Sequence, residues 1–243
     1  TNSEPEEFTT EDDIQLPNSG FEDWYTDSDG LPKPAKDASS SFWDCGNVNY
    51  FGKHIMTTQN DETALGQGSS VKMETQETMK IIAAGNIFTG TFERDGMGGI
   101  LTLGRNFECR PNKLKGYYKY TSAKVSVSKG HLNEGEDDLC SLYIALTDEQ
   151  ITVNTNKGIY FDPNSSAVIA YGSISDEESK GADSFKEFTV DLEYKDLKRI
   201  PKYIIVVASS SKYGDYMEGG KGSTMWLDDL ELVYPKSMEE VRK

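Results

Sequence analysis

The sequence predicts an all-β chain, a two-sheet antiparallel β-sandwich of the jelly-roll (galactose-binding-like) type. Three observations carry that expectation. Apolar and polar residues alternate with the two-residue period of strands in several runs. Clusters of Gly, Asn, Asp and Ser separate those runs, as in "TDSDGLPKP", "RDGMGG", "KGHLNEGEDD", "DPNSS" and "KYGDYMEGGKGS". The 3.6-residue apolar period of an amphipathic helix is nearly absent. Many short strands joined by turns, without intervening helices, bury their apolar faces by packing as two sheets. A length of 243 residues suits one large domain of this kind.

Taken in order, the chain opens with Glu4, Glu6, Glu7, Glu11, Asp12 and Asp13 and has no Lys or Arg in its first sixteen residues. Such a stretch cannot bury enough apolar surface to offset its ordering entropy, so residues 1–16 read as an acidic disordered tether before one domain over 17–243. "NSGFEDW" at 18–24 reads as the first strand. Further strands are expected at 69–75, 99–104, 116–127 and 167–174. In "CSLYIAL" the alternation places Cys140, Leu142, Ile144 and Leu146 on one face. "FTVDLEY" does the same with Phe188, Val190, Leu192 and Tyr194. "KYIIVVASS" is apolar on both faces, as a central strand should be. The last strand is expected at 223–234, and "SMEEVRK" carries a helix-start signal in Ser237 and Glu240 at capping-box spacing.

The last strand holds an acidic doublet. If the two-residue beat runs unbroken, Asp228 shares a face with Trp226, Leu230 and Leu232 and points inward, while Asp229 meets solvent. A buried carboxylate without a partner is costly. First and last strands often lie together in a sandwich, so Glu22 and Asp228 are candidate ligands for a structural Ca²⁺, with backbone carbonyls completing the shell. The alternative is that Asp228 caps a loop or pairs with a buried Lys or Arg.

The composition excludes some functions. With 25 basic and 41 acidic residues the formal charge is −16, the wrong sign for a nucleic-acid surface. No apolar run reaches membrane-spanning length, and any export signal or lipid anchor is expected before residue 1. Three cysteines permit at most one disulfide; buried free thiols are the simpler expectation for Cys45, Cys109 and Cys140. There is no GxSxG elbow, and His54 and His131 stand in no zinc-ligand spacing. "GNIFTG" lacks the Lys-Ser/Thr of a phosphate loop. A glycosidase needs two carboxylates at a set separation, and among 41 acids the sequence selects no pair, so catalytic residues stay unassigned.

Sugars are bound by aromatic faces with directional polar groups at their edges. "RPNKLKGYYKY" supplies both. Tyr117 and Lys119 share one strand face, expected to be the open one because Lys is costly to bury, and Tyr118 and Tyr120 share the expected core face. Arg110 brings a rigid donor fork from the preceding turn. Trp43 in "SFWDCGN" and Tyr216 in "GDYMEGG" complete the candidate ligand-binding set, each with core or rim packing as its plain alternative.

The blocks "NSGFEDW", "FWDCGN", "GNIFTGTF", "RPNKLKGYYKY" and "GDYMEGGKGSTMWLDDLELVY", in this order from Asn18 to Tyr234, resemble the putative carbohydrate metabolism domain of secreted proteins of gut anaerobes. The resemblance implies a β-sandwich, export to the cell envelope, commonly as a lipoprotein, and a place in polysaccharide use. It implies no particular activity. Cys45 and Cys109 depart from the residues expected there. The expected function is non-catalytic binding of an oligo- or polysaccharide at the bacterial cell envelope. The alternatives are a glycoside hydrolase or lyase with two cleft carboxylates, and a structural or adhesin subunit.

Overall fold

The computed structural model describes residues 13–235. The expected tether up to Asp12 and the "SMEEVRK" segment lie outside the described residues. Eleven longer strands build the molecule: β1 (Thr57–Asn60), β2 (Ser70–Glu74), β3 (Asn86–Asp95), β4 (Gly98–Leu103), β5 (Lys113–Thr121), β6 (Ser141–Thr147), β7 (Ile151–Asn154), β8 (Val168–Ser173), β9 (Ala182–Asp191), β10 (Tyr203–Ser209) and β11 (Thr224–Val233). One sheet is five-stranded in the order β9-β5-β11-β2-β1. The other is nine-stranded, with β7-β4-β3-β10-β6-β8 continued by Glu193–Tyr194, and with Trp43–Asp44 and Arg105–Asn106 paired to β3 and β10. All the pairings are antiparallel. The fold class is therefore the expected all-β antiparallel sandwich.

The main core lies between the sheets. Leu142, Ile144 and Leu146 of β6 enter it with Ile204 and Val206 of β10, and meet Leu114, Tyr118 and Tyr120 of β5 and Phe188 and Val190 of β9. Each fully buried side chain of this size contributes about 1.5–3 kcal/mol of apolar transfer. The nine-stranded sheet also carries a second apolar cluster on its outer face, built on Phe88, Leu101, Leu103, Ala145, Val153, Val168 and Ile205. That explains the double-faced apolarity of "KYIIVVASS": Ile204 and Val206 face the core, Ile205 and half-buried Val207 the outer cluster. Cys45, Cys109 and Cys140 are buried thiols. Burial pushes the thiols of Cys45 and Cys140 up to about 12, which leaves them inert at neutral pH.

Two expectations about the first and last strands need correction. "NSGFEDW" is not a strand: residues 17–20 form a turn and Asn18 and Phe21 take positive φ, 51° and 56°. The Asn18 side chain holds the turn, donating to the carbonyls of Asp23 (3.0 Å) and Pro34 (3.2 Å) and accepting from the Asp23 amide (3.0 Å). Phe21 is swallowed whole and stacks edge-on against Trp43. The segment does lie beside β11, where the Leu230 amide donates to Ser19.

The second correction concerns β11. Its beat is interrupted: Lys115 faces Glu231, yet Tyr117 faces Asp228, so β11 has one extra residue. Asp229 sits in this bulge with φ 46°, a left-handed conformation that Asp tolerates better than branched residues. Before the bulge Met225 and Leu227 enter the core; after it Leu230 and Leu232 do. Asp228 therefore shares the outer face with Trp226, and Leu230 and Leu232 lie on the opposite face. Gly116 of β5 makes room, since a Cβ there would lie 2.7 Å from a Leu230 methyl and 3.1 Å from the Asp228 carbonyl.

Candidate functional site

Asp228 is buried nonetheless, because the loop over residues 61–69 folds across the outer face of the five-stranded sheet. Its Oδ2 accepts from the Ala64 amide (2.9 Å) and its Oδ1 from the Asp229 amide (2.9 Å). Burial, with Asp229 and Glu22 nearby, raises its carboxyl to about 6 despite those two hydrogen bonds. Glu22 stands close by and accepts from the Ser69 amide (3.1 Å). Asp228 thus caps a loop, as the alternative held, and Glu22 and Asp228 share a neighbourhood. Among the described residues no group of three or more His, Cys, Asp or Glu is arranged to hold a metal ion.

Tyr117 and Lys119 point to this same outer face and Tyr118 and Tyr120 to the core, as the alternation required. The face is filled rather than open. Lys119 lies over the Trp226 ring at 4.4 Å and pairs with Glu62 at 2.5 Å, while Lys72 approaches that ring at 5.7 Å. Arg110 sits at the other end of β5, donating to the Arg199 carbonyl (2.5 Å) over the Tyr194 ring. Trp43 is 1% exposed and donates to the Pro17 carbonyl (2.8 Å), with no ring face open to a ligand. These four candidates do not converge.

The pronounced cleft is on the far side of the molecule, over the outer face of the nine-stranded sheet. It encloses about 590 Å³, within the range that binds small ligands. Its floor is the β3–β4 hairpin, with Phe92 and Leu101. One wall is the hairpin Val48–Asn49/Lys53–His54, with Tyr50 and Phe51 at its tip. Another wall is the hairpin Gln76–Thr78/Ile81–Ala83, with Met79 at its tip. The far end is closed by the short turn Gly214–Tyr216.

Polar groups are few and placed. The Arg94 guanidinium lies 4.2 Å over the Tyr50 ring and donates to the Gly96 carbonyl (2.9 Å). A cation held on an aromatic face keeps its remaining donors directed at a neighbour. Beside it opens a polar pocket of about 220 Å³, lined by Asp27, Asp29, Lys33, Asn47 and Asn49, that shares Val48, Phe92 and Arg94 with the cleft. Asp27 Oδ1 is committed to the amides of Asp29 and Leu31, both at 2.9 Å. Asp44 accepts from the Phe92 amide (2.8 Å) and from Lys33 (2.7 Å), which fixes the floor. Burial lowers the Lys33 ammonium, and Asp44 beside it outweighs that and raises it.

Asp215 is the one carboxylate lining the large cleft among the described residues, and burial raises its pKa. Next to it Tyr216, the fifth sequence candidate, joins a run of rings: Tyr160 at 4.0 Å, His131 at 4.3 Å, and His131 stacked on Tyr213 at 4.4 Å. The run is pinned from beneath by fully buried Glu218. It accepts from the amides of Lys129 (2.7 Å) and Leu132 (2.5 Å) and lies 3.1 Å from His131 Nδ1. Burial raises the Glu218 carboxyl, and the hydrogen bonds from Leu132, His131 and Lys129 more than reverse this, leaving it lowered.

Tyr50, Phe92, Arg94 and Asp215 escaped the sequence reading. A signal for two of them existed: "RDGMGG" is a turn followed by a strand, so the residues before it had to form the partner strand.

Residues 17–233 match the family described as "Putative carbohydrate metabolism domain". No curated protein matches the chain. A structure described as a putative glycoside hydrolase from Bacteroides thetaiotaomicron is 25% identical with a TM-score of 0.60, covering 75% of this chain and 58% of that one. This chain therefore spans little more than half of that protein. A second, described as a putative glycoside hydrolase from Bacteroides vulgatus, is 23% identical with a TM-score of 0.57, covering 73% and 77%. TmCBM61 in complex with beta-1,4-galactotriose is 10% identical with a TM-score of 0.38, covering 90% and 97%.

Proposed function

The chain belongs to the putative carbohydrate metabolism domain family, and from that premise we propose that it binds a glycan without cleaving it. The site is the Arg94 end of the cleft on the nine-stranded sheet. One observation carries this reading: the large cleft offers rings and a guanidinium with Asp215 its single carboxylate among the described residues, and of the two carboxylates in the adjoining polar pocket, Asp27 and Asp29, Asp27 is already held by the Asp29 and Leu31 amides. Glycosidase chemistry requires an acid and a second carboxylate across the scissile bond. Recognition needs only a ring face for the sugar's C–H surface and donors for its hydroxyls, and Tyr50, Phe92 and Arg94 supply them.

Glycan-array screening followed by calorimetry tests the reading. Arg94→Ala and Tyr50→Ala should each weaken binding of the selected glycan about tenfold or more without changing the melting temperature. Release of reducing ends from that glycan, or unchanged affinity in both variants, would overturn the reading.

A glycoside hydrolase is the second reading, favoured by the half-buried Asp215, whose raised pKa suits a general acid, and by the description of the 25% identical Bacteroides thetaiotaomicron structure. Asp215→Asn separates the two. Hydrolysis lost with binding retained supports catalysis; no hydrolysis in either form supports binding. We further propose export to the cell envelope, as the family resemblance implies, to be checked by fractionating cells that make the protein. No helix among the described residues is long and apolar enough to cross a membrane.

A further inference from the structure

The cleft is longer and more apolar than a sugar requires. Beyond Tyr50 and Arg94 the lining is mainly apolar, with Met56, Ile82, Ala84 and Leu101, and its polar groups are scattered: Gln76 is spent on the Ile55 carbonyl, Asn86 accepts from the Gly46 amide, and His54, Thr78 and Ser209 stand apart. A saccharide carries a hydroxyl on nearly every carbon, and each one buried there unpaired would cost free energy. A sugar therefore suits the Arg94 end and the adjoining polar pocket, and not the remainder of the 590 Å³.

The mouth repeats the pattern. Phe51 is 94% exposed, Met79 84% and Met97 60%, and each stands at or beside the tip of a hairpin that lines the cleft as wall or floor. Phe51 and Met79 hold positive φ, 52° and 51°, a conformation uncommon for bulky side chains. Isolated exposed apolar residues need no explanation, but three around one apolar groove form a patch of the kind that binds apolar matter. The polar pocket and the groove adjoin, with Val48, Phe92 and Arg94 lining both. A ligand that reaches across both is polar at one end and apolar at the other.

We propose that the ligand is an amphiphilic glycoconjugate, a sugar bearing an alkyl, acyl or aryl group. The sugar lies by Arg94 and Tyr50 and the apolar group along the aliphatic groove under Phe51, Met79 and Met97. This rests on the glycan-binding reading and adds the second half of the ligand.

The test is calorimetry of the full chain with methyl and octyl β-D-glucopyranoside, β-D-galactopyranoside and β-D-mannopyranoside, below their micelle concentrations, and with 1-octanol. For at least one sugar the octyl glycoside should bind at least about tenfold more tightly than the methyl glycoside, since each buried methylene adds roughly 0.8 kcal/mol, or about fourfold. 1-Octanol should bind more weakly than that octyl glycoside. Met79→Asn, which suits the positive φ and is exposed enough to spare the fold, should reduce the octyl-to-methyl ratio severalfold.

Octyl and methyl glycosides of equal affinity would overturn the proposal while leaving glycan binding intact. Equal binding of 1-octanol and every octyl glycoside would overturn the proposal, since none of the three sugars is then recognised beside the chain. No binding by any probe also overturns the proposal, while the glycan array judges the glycan reading separately. An octyl advantage that Met79→Asn leaves unchanged, with Met97→Ser equally silent, would place the chain elsewhere and overturn the assignment.

Discussion

Asp228 shows how one side chain couples to pH. Its carboxyl stands at about 6 against an ordinary 3.8. Above pH 6 it is ionised in both the folded and unfolded states, and the folded state bears the cost of the buried charge. As pH falls through 6 the folded protein takes up a proton while the unfolded chain stays ionised until about 3.8. Stability from this group therefore rises on acidification and levels off near pH 4, by up to roughly 2–3 kcal/mol for a shift of this size. Asp228→Ala should destabilise by about 2 kcal/mol at pH 7.5, because the Ala64 and Asp229 amides lose their acceptor. The deficit should widen toward pH 4.5, and denaturant titrations of both proteins at the two pH values read it directly. We propose Ca²⁺ between Glu22 and Asp228 as the alternative means of neutralisation, and it predicts the reverse. A metal-bound carboxylate stays ionised, so acidification or a chelator would lower the melting temperature of the wild type and not of Asp228→Ala.

At the scale of the element, a single extra residue in β11 decides which side chains face where. The alternation rule placed Asp228 with Leu230 and Leu232 because nothing in "WLDDLEL" announces a bulge; Asp is merely one of several residues that accept positive φ. Strands without such an interruption read true, as in "CSLYIAL", whose Cys140, Leu142, Ile144 and Leu146 all enter the core. β3 shows no clean alternation for another reason, and only the turn "RDGMGG" after it points to a strand. Ile87 faces the core and Phe88 the outer cluster, so the run is apolar on both faces, and Gly90 interrupts it with φ 152°. The cleft followed β3 into obscurity, since Phe92 and Arg94 ride on it and Tyr50 reaches it only through tertiary folding. Trp43 misled because a loop tryptophan looks like a ligand platform until Phe21 is seen to cover it. The bulge can be probed from its partner strand. Gly116→Ala puts a methyl 2.7 Å from Leu230 and 3.1 Å from the Asp228 carbonyl, and should destabilise by about 1–3 kcal/mol. Gly116→Ala melting like the wild type would show that β11 shifts register easily.

For the whole molecule, the two ends of the described chain are fastened to each other, and this redraws the domain boundary. The acidic opening reads as tether through residue 16, since charge density falls only at Ile14, too late for a composition argument to see three residues. Those residues do work that composition cannot reveal. Leu16 is 3% exposed within the main core. Gln15 both donates to the Leu232 carbonyl (2.8 Å) and accepts from the Leu232 amide (2.7 Å), extending β11's edge with a side chain that mimics a strand. The Tyr234 hydroxyl donates to the Ile14 carbonyl (2.5 Å). A chain beginning at Asp13 should therefore melt like the full protein, whereas one beginning at Pro17 loses a buried leucine and the pairing of the Leu232 amide. That loss amounts to about 3–5 kcal/mol, a large fraction of a domain's stability, and calorimetric scans of the two truncations measure it. Because residues 14–16 bind the five-stranded sheet and the cleft lies outside the nine-stranded one, the shorter chain should keep its glycan affinity wherever it remains folded. A truncation at Pro17 that leaves melting unchanged would return Ile14–Leu16 to the tether. One that abolishes binding below its melting temperature would show that the two faces of the sandwich communicate.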